Sequence, residues 1–303
     1  MSRGDRAAAS GNLSTSMRDN YREFGVSEYY KKVGSTYRNP HFPGVRLCLF
    51  TWLNKWWQME YDGIKKHEKL SIFDMACGIG EVTLACLEWQ RTGRNFYCSL
   101  TEQHGNAQSK YQGQSITVHQ RESDTTPPAL GSDFPQLHVT AADPFTSAAY
   151  YNRTALPCSP LSFKDISEGA LPPLASSESP VGESSLYGSN DERGVLSRSN
   201  PPIEMVICSF ALHLVESPSE LFSLLWELSL KARWLVVLAP HKRPEIKEGW
   251  GWSKWNVDAW QGSRMQDNIG ELLHDRPVVL NIQEALKLND CFGLGYVVVC
   301  IKA

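Results

Sequence analysis

The chain has 303 residues, 42% of them hydrophobic and 21% charged, which is the balance of a globular protein rather than a disordered one. A formal net charge of −3 excludes the global basic field that attracts nucleic acid, although it does not exclude a local basic surface. No apolar run reaches the length of a membrane span, and the first twenty residues lack an apolar signal core. The eight cysteines show neither a CxxC pair nor zinc spacing. We therefore expect reduced thiols, no metal site and a cytoplasmic or nuclear location.

Composition divides the chain into a tail, an arm and one large domain. Residues 1–20 predict a disordered tail, 21–66 an N-terminal helical arm, and 67–303 a single α/β domain. Within the arm, Ser27 to Val33 predicts a short helix. Apolar residues at helical spacing from Val45 to Trp56 predict a longer helix, whose stripe faces the core.

Two polar segments interrupt the domain, at about 103–136 and 167–202. The first has no convincing period and contains Pro127-Pro128. The second holds nine Ser, five Pro and four Gly among its 36 residues. Such compositions do not bury enough apolar surface to fold alone, so we expect both segments to be flexible, disordered insertions in loops.

Short apolar runs typical of buried strands alternate with helical patterns along the domain. Strands are predicted at Leu70 to Met75, Leu137 to Ala142, Leu161 to Phe163, Ile203 to Ser209, Trp234 to Ala239 and Tyr296 to Ile301. Helices are predicted at Glu81 to Trp89 and at Ser219 to Lys231, the second with Pro218 before it. This alternation indicates a parallel, doubly wound sheet with crossover helices.

A glycine-containing turn joins the first strand to the first helix of the domain. It reads Asp74-Met75-Ala76-Cys77-Gly78-Ile79-Gly80-Glu81. Glycines allow the backbone to approach a ligand closely, and the helix N-terminus offers free N–H groups to an anion. Taken alone, such a turn is also compatible with a tight strand-to-helix connection that binds nothing.

Polar residues follow the later strands in an order that favours a ligand. The second strand ends at Asp143, which is followed by Pro144, and a carboxylate there can accept both hydroxyls of a ribose. The third strand is followed by Asp165-Ile166, where a polar group can lie beside an adenine ring. The fourth ends in Ser209-Phe210, where substrate meets cofactor. Each residue alone is compatible with a solvated loop or a helix cap, but the ordered series favours a nucleoside site.

The turn resembles motif I of the class I S-adenosylmethionine-dependent methyltransferases, which commonly reads D-x-G-C-G-x-G, and the later elements resemble that family's acidic motifs. The resemblance covers about residues 65–240 without the insertions, and it departs at Ala76, where glycine is usual. It implies a Rossmann-like, doubly wound, mostly parallel seven-stranded sheet. It also implies that S-adenosylmethionine donates a methyl group to an acceptor that the sequence does not identify. Ser209 to Leu214 is similar to the small-molecule and ubiquinone-type branch, which favours a small-molecule acceptor over RNA or protein.

The resemblance also assigns roles to single residues. Ala76, Gly78 and Gly80 would let the loop approach the cofactor, with Glu81 beside its methionine moiety. Asp143 would hold the ribose diol, Asp165 would accept from the adenine amino group, and Ile166 would pack on the ring. Ser209 and Phe210 would line the reaction side. The complete cofactor-binding set is Asp74, Ala76, Cys77, Gly78, Gly80, Glu81, Asp143, Pro144, Asp165, Ile166, Ser209 and Phe210.

Three further groups of residues each have two interpretations. His213 is the candidate general base because it follows the fourth strand, or it is a packed histidine. An aromatic and polar arm either closes over the cofactor as a lid or packs on the sheet edge; its residues are Tyr29, Tyr30, Tyr37, Arg38, Asn39 and His41. Four tryptophans either grip a nucleic-acid base or anchor a long loop; they are Trp250, Trp252, Trp255 and Trp260.

The ribose carboxylate has two candidate positions. Phe96 to Glu102 also fits a strand that ends in an acid, and the usual spacing of about 20 residues after the glycine loop favours Glu102. No helical period follows Glu102, however, whereas the segment after Asp143 can start a helix with Pro144 at its first position. We therefore predict that Asp143 holds the ribose.

Two other classes of protein remain as alternatives to a methyltransferase. A non-catalytic scaffold with this fold is left open by Ala76 and by the long insertions. A nicotinamide-dependent dehydrogenase is less favoured, because the third glycine position of G-x-G-x-x-G holds Thr83.

Overall fold

The computed structural model describes residues 23–25, 28, 29, 33, 42–107, 125–173, 203–215, 217–240, 246–257, 259–263 and 296–302. The helices are α1 (Phe42–Ile64), α2 (Glu81–Ala107), α3 (Ser147–Thr154), α4 (Phe163–Ser167) and α5 (Pro218–Ser229), with a 3₁₀ turn at Leu212–Leu214. The strands are β1 (Lys69–Met75), β2 (Gln136–Ala142), β3 (Ile203–Ser209), β4 (Ala232–Pro240), β5 (Ser253–Asn256), β6 (Gln261–Ser263) and β7 (Tyr296–Lys302). None of the helices in these ranges is long and apolar enough to cross a membrane.

One sheet with the strand order β2-β1-β3-β4-β7-β5-β6 forms the centre of the molecule. The first four strands in this order pair in parallel, whereas β7, β5 and β6 pair antiparallel. Met75 of β1 pairs with Ala142 of β2 and with Cys208 of β3. The residues that follow these three strands therefore meet at one edge of the sheet. The predicted parallel α/β core is confirmed for β1 to β4.

Helices cover both faces of the parallel strands. Met205 and Ile207 of β3 belong to a cluster with α1 and α2, whereas Val206 and Cys208 belong to a cluster with α5. Because side chains alternate along a strand, a strand that is buried on both faces carries apolar residues in succession, as Met205 to Cys208 of β3 do. Three layers therefore hold the carboxyl edge of the sheet rigidly in place.

The strand predicted at Leu161 to Phe163 is wrong, and the seven-stranded class I arrangement is not confirmed. This segment bridges the edge of β2 at Ser159, which pairs with Ala142, and then turns into the short helix α4. Ser162 caps that helix: its Oγ accepts from the Asp165 N–H, and its own N–H donates to Asp165 Oδ2 at 2.8 Å. A Ser-x-x-Asp capping box is thus the physical reason that this segment is helical.

Helix α2 is far longer than predicted and contains the alternative ribose acid, Glu102. It runs for 27 residues, so Phe96 to Glu102 is helical, and Glu102 is exposed. Leu130 and Phe134 from the predicted first insertion are buried in the core. The Leu130 N–H donates to the Gly93 carbonyl at 3.0 Å, and a Cβ on Gly93 would lie 2.6 Å from the Leu130 side chain. The described parts of that insertion are therefore structured; residues 1–20, 108–124 and 174–202 lie outside the described residues.

The tryptophans after β4 pack within the protein. Trp252 is buried and donates its indole N–H to the Leu225 carbonyl at 2.7 Å. Trp255 and Trp260 contact Trp234 of β4, with ring centroids 5.4 and 5.3 Å apart. Trp250 contacts Phe222 of α5. These contacts match the interpretation of a loop anchored to the domain.

Candidate functional site

A cavity of about 230 Å³ lies at the carboxyl edge of β1, β2 and β3. Three of the stretches that line it are the glycine turn after β1, the segment after β2, and residues 209–214 after β3, of which Leu214 ends the 3₁₀ turn. A fourth stretch, around Ser162, closes the side formed by α4. The lining residues are Asp74, Ala76, Cys77, Gly78, Glu81, Val82, Asp143, Pro144, Phe145, Leu161, Ser162, Phe163, Ile166, Ser209, Phe210, Ala211 and Leu214.

Ten of the twelve residues predicted to bind a cofactor line this cavity, and two do not. Asp165 is not among the lining residues, because its carboxylate accepts from the N–H and hydroxyl of Ser162. Gly80 is also absent from the lining. A Cβ there would lie 2.5 Å from Thr154 Cγ2 and 3.1 Å from the Tyr150 ring. Gly80 therefore permits close packing between the turn and α3.

The turn between β1 and α2 holds its backbone in the left-handed region. Gly78 has φ 54° and Ala76 has φ 56°. Phe210, which follows β3 on the opposite side of the cavity, also has φ 56°. A left-handed non-glycine residue costs about 1 kcal/mol or more, so two of them at one cavity mark a place where packing enforces strain. Strain of this kind concentrates at ligand sites.

Asp143 ties the end of β2 to the glycine turn. Its Oδ2 accepts from the Gly78 N–H at 3.2 Å, and its Oδ1 accepts from the N–H groups of Phe145 and Thr146 at 2.8 and 3.0 Å. Pro144 lies in the turn that these bonds form, and α3 begins later, at Ser147. Burial raises the pKa of Asp143, and the backbone hydrogen bonds oppose that rise. A carboxylate has about four lone-pair sites, so three backbone bonds leave Oδ2 one site for a ligand hydroxyl.

Asp74 places a second, fully buried carboxyl beneath the turn. Its Oδ2 accepts from the Thr83 N–H at 3.0 Å and from the Thr83 hydroxyl at 2.6 Å. Its Oδ1 has no hydrogen-bond partner among the described residues. Burial raises the pKa of Asp74 to about 7, against the opposing effect of the two Thr83 bonds, while Glu81 and Asp143 add to the rise. The site therefore holds a carboxyl group that titrates near neutral pH.

We predict that this carboxyl makes the stability of the protein fall as the pH rises from about 4 to about 7. The folded state holds the proton more tightly than the unfolded state, whose pKa is near 3.8, so the folded state binds more protons within that window. The free energy of unfolding should drop by roughly 1.4 kcal/mol for each unit of pKa difference. Glu81 and Asp143 face the same group and also titrate with pH, so the contribution of Asp74 is isolated by comparing wild type with Asp74→Asn. The free energy of unfolding of each protein is measured by urea unfolding at each pH. Parallel curves for the two proteins would contradict the prediction.

Glu81 begins α2 and carries an ion pair at the rim of the cavity. Arg153 of α3 donates from Nη1 to Glu81 Oε1 at 2.9 Å, and Glu81 is only 6% exposed. The Arg153 guanidinium also lies 5.6 Å from the centre of the Phe42 ring, at the start of α1. One arginine thus joins the first turn of α2 to α3 and to α1.

The structure describes the candidate base, His213, and one residue of the candidate lid, Tyr29. His213 lies in the 3₁₀ turn after β3, is half-buried and does not line the cavity; burial lowers its pKa. Tyr29 is described and fully buried. The other lid candidates, Tyr30, Tyr37, Arg38, Asn39 and His41, lie outside the described residues.

A protein of the fission yeast Schizosaccharomyces pombe, named Uncharacterized protein C17A5.05c, is 42% identical over 249 residues. The aligned region covers 82% of this chain and 84% of that protein. The chain belongs to the family of this fission-yeast protein. No family model matches the sequence.

Among solved structures, the chain is similar to magnesium protoporphyrin IX methyltransferase (ChlM) from Synechocystis PCC 6803, which was crystallised with bound SAM. The alignment covers 94% of this chain and 90% of that one, at 11% sequence identity. Its TM-score is 0.34.

Several residues that shape the site escaped the sequence analysis. In the sequence Thr83 only marks the absence of a third glycine, yet its hydroxyl connects Asp74 to the Tyr150 hydroxyl. Arg153 and Cys158 meet Glu81 and Cys77 across 72 and 81 residues of chain. No local pattern signals such pairs. For Tyr150 and Arg153, the one available signal was the helix expected after Asp143.

Proposed function

We propose that the protein is an S-adenosylmethionine-dependent methyltransferase whose cofactor binds in the cavity at the carboxyl edge of β1, β2 and β3. The observation that carries the proposal is the meeting of ten predicted cofactor residues at this one cavity. Those residues come from four separate parts of the sequence, and the fold brings them to one place. A turn that only connects a strand to a helix does not require these residues to meet at one cavity.

The topology supports a ligand at this place. In the sheet, β1 lies between β2 and β3, so the crossover that follows β1 leads to one side and the crossover that follows β2 leads to the other. Open parallel sheets bind their ligands outside the carboxyl ends of the strands at such a reversal of strand order. The cavity lies at that reversal.

The charges favour a cationic ligand over a pyrophosphate. Asp74, Glu81 and Asp143 all line the cavity, and Glu81 occupies the first turn of α2. A dinucleotide would have to place its negative pyrophosphate at this helix N-terminus, beside the Glu81 carboxylate, whose ion pair with Arg153 only partly offsets the repulsion. A sulfonium and an α-ammonium group carry positive charge and avoid that repulsion. This arrangement supports S-adenosylmethionine over NAD.

The described residues fit such a ligand. Gly78 has open space in front of it, with only Glu81 Oε2 near the position of a Cβ, at 3.8 Å. Asp143 Oδ2 has capacity for a ribose hydroxyl. Ile166, Leu161 and Phe163 provide an apolar wall for the adenine ring. The buried Ser209 Oγ has no hydrogen-bond partner among the described residues and lines the cavity from β3.

Bound in this cavity, S-adenosylmethionine would supply an activated methyl group, so the chain needs mainly to orient the reactants and exclude water. The turn after β1 and the segment after β2 hold the cofactor side. Ser209, Phe210, Ala211 and Leu214 form the side beyond β3. Three of these four residues are apolar, which supports a small-molecule acceptor.

We predict that S-adenosylmethionine and S-adenosylhomocysteine raise the melting temperature, whereas NAD does not. A ligand at 100 times its Kd stabilises a protein by about 2.7 kcal/mol, which corresponds to a shift of roughly 4 °C for a chain of 303 residues. Isothermal calorimetry with S-adenosylhomocysteine gives the Kd directly. A shift with NAD alone would favour a dehydrogenase, and no response to any of the three would favour a scaffold; either result sinks the proposal.

A further inference from the structure

Two cysteines from distant parts of the chain meet beside the cavity. Cys77 Sγ lies 3.5 Å from Cys158 Sγ, although 81 residues separate them. The end of β2 brings them together: the Cys77 N–H donates to the Ala142 carbonyl at 3.1 Å, and the Ser159 N–H donates to the Ala141 carbonyl at 2.9 Å. The strand register, rather than flexible side chains, therefore sets their approach.

The two thiols differ in environment. Cys77 is 5% exposed, and burial raises its pKa. Cys158 is partly exposed, and the S–H of Cys77 lowers the pKa of Cys158 by a hydrogen bond, with a smaller contribution from the Ser147 hydroxyl. Because the thiolate is the nucleophile, the more exposed Cys158 is the better placed of the two thiols to meet an oxidant from solvent. Cys77 lies next to it and can resolve the product.

We propose that Cys77 and Cys158 form a reversible disulfide, a modification site whose oxidant is a hydroperoxide. The Cys158 thiolate attacks a peroxide oxygen, the O–O bond breaks, and Cys158 becomes a sulfenic acid while hydroxide leaves. The Cys77 sulfur then attacks the Cys158 sulfur and displaces its hydroxyl group as water. In sum, two thiols lose two electrons and two protons, and hydrogen peroxide is reduced to two molecules of water. A dithiol restores the pair.

Bond formation displaces the turn that lines the cavity. A disulfide bond is about 2.05 Å long, so the two sulfurs must approach each other by roughly 1.5 Å. Cys77 sits between Ala76 and Gly78, and the Gly78 N–H is bonded to Asp143. Movement of Cys77 therefore strains the contact that joins β1 to β2 at the site. The expected effect on ligand binding rests on the proposed function, because that function names the ligand. The formation of the disulfide does not depend on it.

Peptide mapping after mild peroxide treatment tests the disulfide directly. Trypsin with a glutamate-specific protease leaves Cys77 in peptide 70–81, Cys86 in peptide 82–88 and Cys158 in peptide 154–164. We expect a peroxide-dependent cross-link between peptides 70–81 and 154–164 that dithiothreitol reverses. The control is Cys98→Ser, which removes an exposed thiol and should leave that cross-link unchanged. Oxidation of Cys98 without any cross-link between Cys77 and Cys158 overturns the proposal.

Single variants test the order of the steps. In Cys77→Ser, a 1,3-cyclohexanedione probe should label Cys158, because the sulfenic acid has no thiol to resolve it. In Cys158→Ser, Cys77 should stay unlabelled. Equal labelling of the two cysteines in the two variants contradicts Cys158 as the first site of attack.

Calorimetry with S-adenosylhomocysteine tests the link to the cavity. Oxidised wild type should bind at least about tenfold more weakly than the reduced protein, and Cys158→Ser should not change its affinity on peroxide treatment. An unchanged affinity in cross-linked protein overturns the effect on the cavity. A cross-link in a protein that never binds S-adenosylhomocysteine refutes the proposed function and leaves the disulfide standing.

Discussion

We expect Asp143→Ala to weaken S-adenosylhomocysteine binding about a hundredfold, which corresponds to roughly 2–3 kcal/mol for a lost charged hydrogen bond and a loosened turn. Two effects add: Oδ2 no longer accepts a ribose hydroxyl, and the N–H groups of Gly78, Phe145 and Thr146 lose their acceptor. Calorimetry measures the affinity, and thermal unfolding checks that the variant is folded. A variant that binds as wild type does would show that Asp143 holds only the turn.

Glu102→Ala is the matched control, because Glu102 is the acid that sequence spacing favoured and lies exposed on α2. Its affinity should equal that of wild type. Deoxy analogues of the ligand separate the two effects of Asp143. Wild type should bind the 2′-deoxy or the 3′-deoxy analogue more weakly than S-adenosylhomocysteine. The Asp143→Ala variant should bind the deoxy analogue and S-adenosylhomocysteine with equal affinity. A further loss in the variant would mean that another residue holds the ribose.

The second large effect concerns two neighbouring glycines: substitution of Gly78 should abolish ligand binding, whereas substitution of Gly80 should lower stability. Gly78→Arg should abolish detectable binding and leave the protein folded, since Gly78 lines the cavity, has open space before it, and loses only about 1 kcal/mol to its φ of +54°. Gly80→Ala should instead lower the free energy of unfolding, by roughly 2–4 kcal/mol. The new Cβ would lie 2.5 Å from Thr154 Cγ2, and φ is +89° there, so overpacking and strain add.

Gly63→Arg is the control for the change to arginine. Gly63 is exposed on α1, with nothing within 4 Å of its Cβ position, so neither stability nor affinity should fall. Urea unfolding and calorimetry are compared for the three variants. If Gly78→Arg binds normally, the turn is only a connection; if Gly80→Ala is as stable as wild type, the contact between the turn and α3 is not rigid.

The sequence by itself predicted the central strands and the glycine turn. β1, β3 and β4 are buried on both faces, and such strands appear as continuous apolar runs that need no knowledge of their neighbours. The order of Asp74, Asp143 and Ser209 at the ends of three strands was visible for the same reason. Parallel strands place their carboxyl ends at one edge of the sheet, so the residues that follow these strands lie close together.

Elsewhere the local pattern was insufficient. Leu161 to Phe163 has the apolar residues of a strand, but the capping box of Ser162 and Asp165 turns the chain into α4. Helix α2 continues beyond the predicted end at Trp89, where residues that return from beyond residue 124 pack on it: the Leu130 N–H donates to the Gly93 carbonyl, and Arg94 donates to the Phe134 carbonyl. In both places, hydrogen bonding and packing outweighed the pattern of hydrophobic residues.

Only the tertiary structure decided which residues share the site. Gly80 packs against α3 instead of facing the cavity, Arg153 reaches Glu81, and Cys158 meets Cys77. Periodicity along a chain reports which face of an element is buried, but not which distant side chain lies against that face. Strand register and helix packing fix those partners, and both arise only when the sheet has formed.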